Sequence, residues 1–308
     1  MIDTEDFVLT DRGLLRAGEV ESNMKVLGLR PTTGSLTWST VESSTKHEGD
    51  AIRVYGDQSE FSLFDDTVVI VHGRGPCKLY KDVMSSNIYS SDFAIETVTL
   101  DDKSLDKVWV GNQESEGNAQ LPDLTQLGFL ARRLPLKDKI VIRIPKGRFD
   151  QISHLFSSLK PSIYEGEYWD WVKLESQDLL KFAGESWSEP QTIPRIIRES
   201  GYANLKAFFH GLMLATHYEE SGFFLHKTFE YERDLRAIMY FFMSITGTTF
   251  LADARPLYCP DQVVLSVVQR STRVNSINAS KSLGRILGVT LQSEHVDWYP
   301  VVNLSLIA

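Results

Sequence analysis

The sequence predicts an α+β protein with an all-β N-terminal domain and a mixed C-terminal domain. Up to about residue 110, short apolar strands alternate with turn signals at regular spacing, as in a compact all-β unit. Residues 112–122 are polar and contain Gly and Pro, so we expect a linker there. Beyond the linker, helix and strand patterns alternate twice in units of similar size, which indicates an internal duplication.

Five strands are predicted in the N-terminal domain. FVLT at 7–10 precedes the turn signal DRG, and the strand at 24–29 precedes RPTTG. Further strands follow at 35–41, 51–56 and 67–73. Each is rich in aliphatic and β-branched residues and borders Gly, Pro, Asp or polar residues, the composition of strands and of their turns.

Helices and strands alternate in the C-terminal domain. In the first copy we predict a helix at 124–134, a strand at 139–144 with isoleucines on one face, a helix at 149–159, a strand at 168–174 and a helix at 176–186 that a Ser caps. After a Pro-rich turn, the second copy is predicted to contain helices at 204–218, 231–247 and 280–289 and strands at 221–229, 248–254 and 262–269.

Composition limits the cellular compartments and the kinds of site that we expect for this protein. The chain has 308 residues, a formal net charge of −9 and two cysteines, Cys77 and Cys259. Two cysteines are too few for a disulfide framework or a four-ligand zinc site, no apolar run is as long as a membrane span, and MIDTEDF is too acidic for a signal peptide. We therefore expect an intracellular protein, cytoplasmic, nucleoid-associated or within a virion, without a bound cofactor.

Charge is unevenly distributed along the chain. Residues 1–120 carry 11 Lys and Arg against 21 Asp and Glu, whereas residues 121–290 carry 21 against 18. Seven cations and one Asp lie within 132–148. Such a cluster can neutralise phosphates in an otherwise acidic chain. The alternative is a solvated edge strand that its lysines protect from aggregation.

Small residues recur at helical spacing in two of the predicted helices. Gly128 and Ala131 share a face of the first helix, and Gly211 and Ala215 share a face of the second. Small side chains let two helix backbones approach closely. We therefore predict a close helix–helix seam.

A set of short motifs lies within residues 8–41: VLT-x-x-G at 8–13, Glu19-Val20, KVLG at 25–28, Thr33-Gly34, Trp38 and Val41. This pattern resembles the opening block of intein-type Hint domains. The resemblance implies a splicing nucleophile at the first position, held by Met1, and a catalytic TxxH block at Thr67. Inteins need Cys or Ser, occasionally Ala, at the first position, a His in that block and a terminal His-Asn pair, whereas this chain ends in VVNLSLIA. We therefore expect no splicing.

QLGFLARRL at 126–134 and FHGLMLATH at 209–217 resemble the paired motif helices of two-copy LAGLIDADG homing endonucleases. The resemblance implies a pseudo-twofold αββαββα domain, monomeric in isolation, in which each helix ends in an acid that binds divalent metal. Arg133 and Thr216 stand at these two positions. A guanidinium about 4 Å from a divalent ion would repel it by roughly 8 kcal/mol at an effective dielectric of about 20. We therefore expect neither a metal site nor nuclease activity.

These resemblances define the predicted domains: a Hint-like domain at 1–111, the linker at 112–122, an endonuclease-like domain at 123–295, and a C-terminal strand at 296–308 that returns to the first domain. They also imply duplex DNA as a partner. The DNA-binding candidates are Lys139, Arg143, Lys146 and Arg148 from the first copy, with His226 and Lys227 from the second.

The resemblances favour a protein that binds DNA without cutting it, and two alternatives stay open. One is an exapted accessory subunit that binds protein partners in a larger assembly, for example a viral one, which the acidic N-terminal half favours. The other is a residual metal-dependent DNA endonuclease. The aromatic cluster at 164–175 leaves base stacking open, although the alternation of Trp169 and Trp171 favours the burial of that strand face.

Overall fold

The protein is of the α+β class, as predicted, and its chain divides into two compact units. Unit 1 comprises Met1–Gly111, Tyr240–Ala252 and Val267–Ala308, and unit 2 comprises Asn112–Met239 and Asp253–Ser266. The predicted boundary at residue 295 therefore falls inside unit 1. The computed structural model describes residues 1–30, 35–56, 60–71, 74–85, 94–96, 122–134, 136, 138–189, 192–215, 218–219, 222–226, 234–235, 237–238, 241–242, 248–253, 262–269, 274–296, 299–301 and 305–307.

Strands dominate unit 1, and strands and helices alternate in unit 2. In chain order, the strands β1 to β19 are Ile2–Asp3, Phe7–Thr10, Gly13–Arg16, Lys25–Arg30, Ser35–Gly56, Glu60–Phe64, Val69–Val71, Gly75–Cys77, Ala94–Glu96, Ile140–Pro145, Ser162–Glu165, Trp169–Leu174, Tyr218–Glu219, Gly222–His226, Thr248–Asp253, Gln262–Gln269, Val274–Ser293, Tyr299–Val301 and Ser305–Ile307. The helices α1 to α6 are Tyr80–Ser85, Leu124–Leu130, Arg148–Ile152, Gln177–Glu185, Arg195–Arg198 and Tyr202–Ala215. None of the helices in the described part of the chain could span a membrane.

Twelve strands of unit 1 form one large sheet, in which the described pairings are antiparallel. Its order is β1-β17-β9-β7-β19-β18-β2-β4-β5-β6, with β3 paired to β2 and β8 to β7. The predicted turn after FVLT is present, and it joins β2 to β3. Gly13 adopts φ 131°, which glycine tolerates best, and its carbonyl oxygen accepts a 2.9 Å hydrogen bond from the Thr10 hydroxyl.

The predicted helix at 280–289 is wrong, because these residues lie in β17. That strand pairs with β5 from Ile277↔Gly56 to Ser293↔Val41. Its register shifts between Ser282 and Gly284, where Gly284 adopts φ 69°, as in a β-bulge. The predicted strands at 35–41 and 51–56 are likewise parts of the single strand β5. Pairing of residues 277–293 with residues 41–56 outweighs the local signals for a helix in one strand and a turn in the other.

A charged network is buried near the start of unit 1. Arg53 donates hydrogen bonds of 2.9 Å to both Asp3 and Asp6, and Ser62 bonds to the same two carboxylates through its backbone N–H and its hydroxyl. All four residues are less than 9% exposed. The acids of the opening MIDTEDF are therefore partly structural, since buried carboxylates need such partners.

The segment predicted as the first copy begins in unit 2 with α2, followed by a three-stranded sheet of order β10-β12-β11. Helix α2 ends at Leu130, four residues before the predicted end. The predicted helix at 149–159 breaks into α3 and two single 3-10 turns. Ser153 and Ser157 explain the break, because their hydroxyls bond to backbone carbonyls three residues earlier and so compete with helical bonding.

The segment predicted as the second copy begins with α6. This helix ends at Ala215, and the predicted last helical residue, Tyr218, lies in β13. Strand β14 pairs with β13 and, from Phe223↔Leu265 to His226↔Gln262, with β16. Residues within the predicted helix at 231–247 are helical at 234–235, 237–238 and 241–242.

Candidate functional site

Helices α2 and α6 cross with their backbones almost in contact. A Cβ atom on Gly128 would lie 1.8 Å from a carbonyl oxygen of α6, and one on Gly211 would lie 1.9 Å from a carbonyl oxygen of α2. Real Cβ atoms essentially never come within 3.0 Å of such an atom, so only glycine fits at either position. The other two predicted seam residues, Ala131 and Ala215, are buried where α2 and α6 end.

Arg133 lies just beyond the end of α2 and is 8% exposed. Its guanidinium donates hydrogen bonds to the carbonyl oxygens of Leu130, at 3.2 Å, and Trp187. The Arg133 Cζ also lies 4.5 Å from the centroid of the Trp187 ring, within the range of a cation–π contact. Burial lowers the pKa of Arg133 to about 10, so the side chain remains charged at neutral pH.

Trp187 connects Arg133 to the rest of unit 2. Its indole N–H donates to the carbonyl oxygen of Thr192, and its ring lies 5.9 Å from that of Phe208 in α6. The arginine therefore belongs to a packed cluster that links the end of α2 to the segment before α5 and to α6. The position where the resemblance implies a metal-binding acid is occupied by a structural cation.

Position 216, where the resemblance implies the second metal-binding acid, is not described. Thr216 and Lys227 lie outside the described residues, and His226 is described only as a backbone position in β14. Among the residues that the structure does describe, no group of three or more His, Cys, Asp or Glu side chains could hold a metal ion.

The sheet β10-β12-β11 has one buried and one half-exposed face. Ile140, Ile142 and Ile144 alternate into the core from β10, as predicted, and pair with Leu174, Val172 and Asp170 of β12. The core beneath them includes the aromatic cluster of Phe129, Phe149 and Phe156.

The expectation that Trp169 and Trp171 bury their face of the strand is wrong. Strand β12 shows strict alternation, with Asp170 and its even-numbered neighbours buried and the two tryptophans half-exposed. Asp170 can occupy the core face because its Oδ2 accepts a 2.7 Å hydrogen bond from the N–H of Gly147. The sequence reasoning failed because alternation shows that two faces differ without showing which one is buried.

We call the half-exposed side of this sheet the outer face. Arg143 of β10 lies directly opposite Trp171 of β12, which in turn lies opposite Tyr164 of β11. The Arg143 Cζ lies 4.5 Å from the ring centroid of Trp169, its diagonal neighbour. The outer face therefore presents a cation among three aromatic rings. Tyr164 belongs to the aromatic cluster identified in the sequence, and its pairing in β11 places it next to Trp171.

The other predicted cations of the first copy surround this sheet. Lys139 precedes β10 and is exposed, and Lys146 follows β10 and is also exposed. Arg148 is half-buried at the start of α3 and donates a 3.0 Å hydrogen bond to Gln151. The structure thus groups all four first-copy candidates around one sheet.

In unit 1, Thr67 forms hydrogen bonds that have a structural role. Its hydroxyl donates to the carbonyl oxygen of Met1 at 2.9 Å and accepts from the N–H of Phe64 at 2.9 Å. The Met1 side chain lies against Gly49 and Gly288. The two residues that the Hint resemblance assigns to splicing positions do meet, but as a methionine carbonyl and a threonine hydroxyl that hold strands together.

An open cleft of about 620 Å³ lies between the start of α2 and α4. Its polar lining includes Asp123 and Ser176, which cap these helices by accepting hydrogen bonds from Gln126 and Leu179. The cleft lies at the end of α2 opposite to Arg133, and we assign it no role.

No protein-family model matches the chain, and no curated protein is similar to it. Among solved structures, the chain is similar to the DnaX mini intein from Spirulina platensis at 19% identity, over 32% of this chain and 69% of that chain, with a TM-score of 0.27. It is similar to a DnaB intein from Synechocystis sp. at 9% identity, over 31% and 67%, with a TM-score of 0.26. It is also similar to I-DmoI in complex with its target DNA at 14% identity, over 48% and 90%, with a TM-score of 0.30. All three TM-scores are below 0.5, so no family is assigned to the chain.

Proposed function

We propose that this protein binds duplex DNA through the outer face of β10-β12-β11 and does not cut it. The observation that carries the proposal is that Arg143 lies on the half-exposed face of this sheet, with the exposed Lys139 and Lys146 at the two ends of its strand β10 and Arg148 two residues further along the chain. Cations grouped in this way can neutralise consecutive phosphates. Strand side chains of a sheet can also reach base edges in a groove.

The geometry around Arg133 supports the absence of cleavage. Metal-assisted hydrolysis of a phosphodiester needs hard oxygen ligands for the ion. At the end of α2, a buried guanidinium instead donates to the carbonyl oxygens of Leu130 and Trp187. An ion placed there would face a fixed positive charge and would compete for the same oxygens.

A second candidate function is that of an accessory subunit that binds a protein partner. The paired strands β5 and β17 favour it, because residues 45–48 and 284–285 of these strands are exposed, and Leu287 is 43% exposed in the same ribbon. Residues 1–120 also carry ten more acidic than basic residues, 21 against 11, which disfavours phosphates around unit 1.

Titration of a labelled duplex at several salt concentrations tests the first proposal. We expect affinity to fall steeply with salt. Lys139→Ala should lower the salt slope by about one, and Arg143→Ala should weaken binding further. Lys181→Ala is the matched control, since Lys181 is equally exposed but lies on α4. Failure to bind duplex even at low salt would refute the proposal and leave the accessory role.

A further inference from the structure

The outer face of β10-β12-β11 carries an aromatic row in addition to its cations. Trp171 is flanked across the sheet by Arg143 on one side and Tyr164 on the other. Trp169 lies two residues along β12 and stacks on the same arginine. Tyr164 is 59% exposed, and Tyr168, which precedes the strand, is 72% exposed.

The rings of Tyr164 and Tyr168 leave much of their apolar area in contact with water, and those of Trp169 and Trp171 are partly exposed. Burial of an aromatic side chain is favourable, so a ligand that covers these rings would gain affinity. Flat rings offer π-faces on which another flat group can stack, and the guanidinium beside them attracts negative charge. The face is therefore suited to a planar ligand with negative charge close to it.

The charge of the outer face indicates which kind of planar ligand it can bind. The strand positions of the outer face include the cations Arg143 and Lys173. Lys173 pairs with Glu175 at 2.9 Å beyond the end of the strand, and this pair raises the pKa of Lys173, so the ammonium stays charged. An anionic polymer with planar units satisfies both the rings and the cations. In a duplex, however, bases stack on each other and expose only their edges.

We propose that the aromatic row of Trp171, Tyr164 and Trp169 stacks unpaired bases, so that DNA with a single-stranded segment is bound more tightly than uninterrupted duplex. This inference rests on the proposed function, because it assumes that DNA reaches the outer face. Base–aromatic stacking tolerates any sequence and adds to the electrostatic attraction of the backbone. The cations hold the phosphates, and the rings hold bases that have left the double helix.

The experiment compares four labelled probes with the full-length protein: a duplex, one of its strands, the same duplex with a central unpaired loop, and heparin, a polyanion without bases. We expect the single strand and the looped duplex to bind more tightly than the duplex and heparin. Trp171→Ala and Tyr164→Ala should each weaken binding of the unpaired probes roughly 5- to 100-fold, and Trp171→Phe should retain most of it. Trp38→Ala is the matched control, a half-exposed tryptophan of unit 1, and thermal melting checks that each variant is folded.

The outcomes separate this inference from the proposed function. Duplex binding without any preference for unpaired probes, and unchanged in Trp171→Ala, would overturn the inference and leave the proposed function intact. Binding of single strands without binding of duplex would support the inference and overturn the duplex proposal. Heparin binding as tight as that of the single strand would overturn the inference, since charge alone would then explain the affinity.

Discussion

Arg133 carries a full positive charge into the interior of unit 2, where the Leu130 and Trp187 carbonyl oxygens accept its hydrogen bonds. Burial lowers its pKa to about 10, well below the ordinary value of an arginine. The unfolded chain therefore binds more protons than the folded protein above about pH 10, until the unfolded arginine also loses its proton, and stability rises with pH in that window. At neutral pH both states are protonated, so the full cost of burying the charge is present there. The hydrogen bonds and the indole contact offset that cost.

Substitution of this residue by an acid tests its role. Arg133→Asp should lower the free energy of unfolding by roughly 3–5 kcal/mol, because it places a carboxylate beside carbonyl oxygens and removes the contact with Trp187. Arg133→Met keeps the length of the side chain without its charge and should cost less. Urea unfolding measures both. An Arg133→Asp protein that is as stable as the wild type and binds Mn²⁺ in calorimetry would show an open metal position.

Some contacts of single residues could not be predicted from the sequence. Thr67 could be assigned to its block from the motif, but its bond to the Met1 carbonyl depends on strands that meet only in the fold. Asp3 and Asp6 show no pattern that distinguishes them from surface acids. Their partner Arg53 is 47 residues beyond Asp6 in the chain, and sequence spacing carries no information on such a contact.

At the scale of elements, α2 and α6 can cross this closely because Gly128 and Gly211 carry only a hydrogen atom where other residues carry a Cβ atom. The spacing of small residues located Gly128 and Gly211 in the sequence, because helical periodicity is a local property. The structure brings them against each other's backbones. Backbone atoms cannot move aside as a flexible side chain can, so any larger side chain must force the helices apart.

Gly128→Ala should therefore lower the free energy of unfolding by about 4 kcal/mol or more, or prevent folding. Gly184→Ala is the control, since Gly184 lies in α4 with open space around its Cβ position. That change should raise stability by roughly 0.5–1 kcal/mol, because alanine is the better helix former. Thermal or urea unfolding compares the two variants. Equal stabilities would contradict the close crossing.

Strands were harder to predict than helices. Strand β11 was not predicted, because its SIYE is short and mostly exposed, and a helix was predicted where β17 pairs with β5. In both cases the decisive partner lies far away in the chain, and local propensity is a weak guide against such pairing. The prediction of which face of β12 is buried was wrong for a related reason. The buried face holds Asp170, which accepts a hydrogen bond from Gly147, a residue 23 positions earlier in the chain.

At the scale of the whole molecule, charge and fold are divided between the two units. Unit 1 contains the acidic residues 1–111 and the large sheet, and unit 2 contains the basic segment 132–148 and the aromatic outer face. The α+β class could be predicted because the change of pattern near residue 110 is visible in the composition. The contribution of β17 to unit 1 could not, because β17 pairs with β5, more than 200 residues earlier in the chain, and the local sequence of residues 280–289 favours a helix.

The central claim is that the protein binds DNA without cutting it. Incubation of the purified full-length chain with a duplex library of random sites, in Mg²⁺ and separately in Mn²⁺, tests both parts together. Retained and cleaved fractions are sequenced from the same reaction. We predict that duplexes are retained at low salt, released as salt rises, and recovered uncut with either metal. Metal-dependent cleavage of any retained duplex would contradict the account.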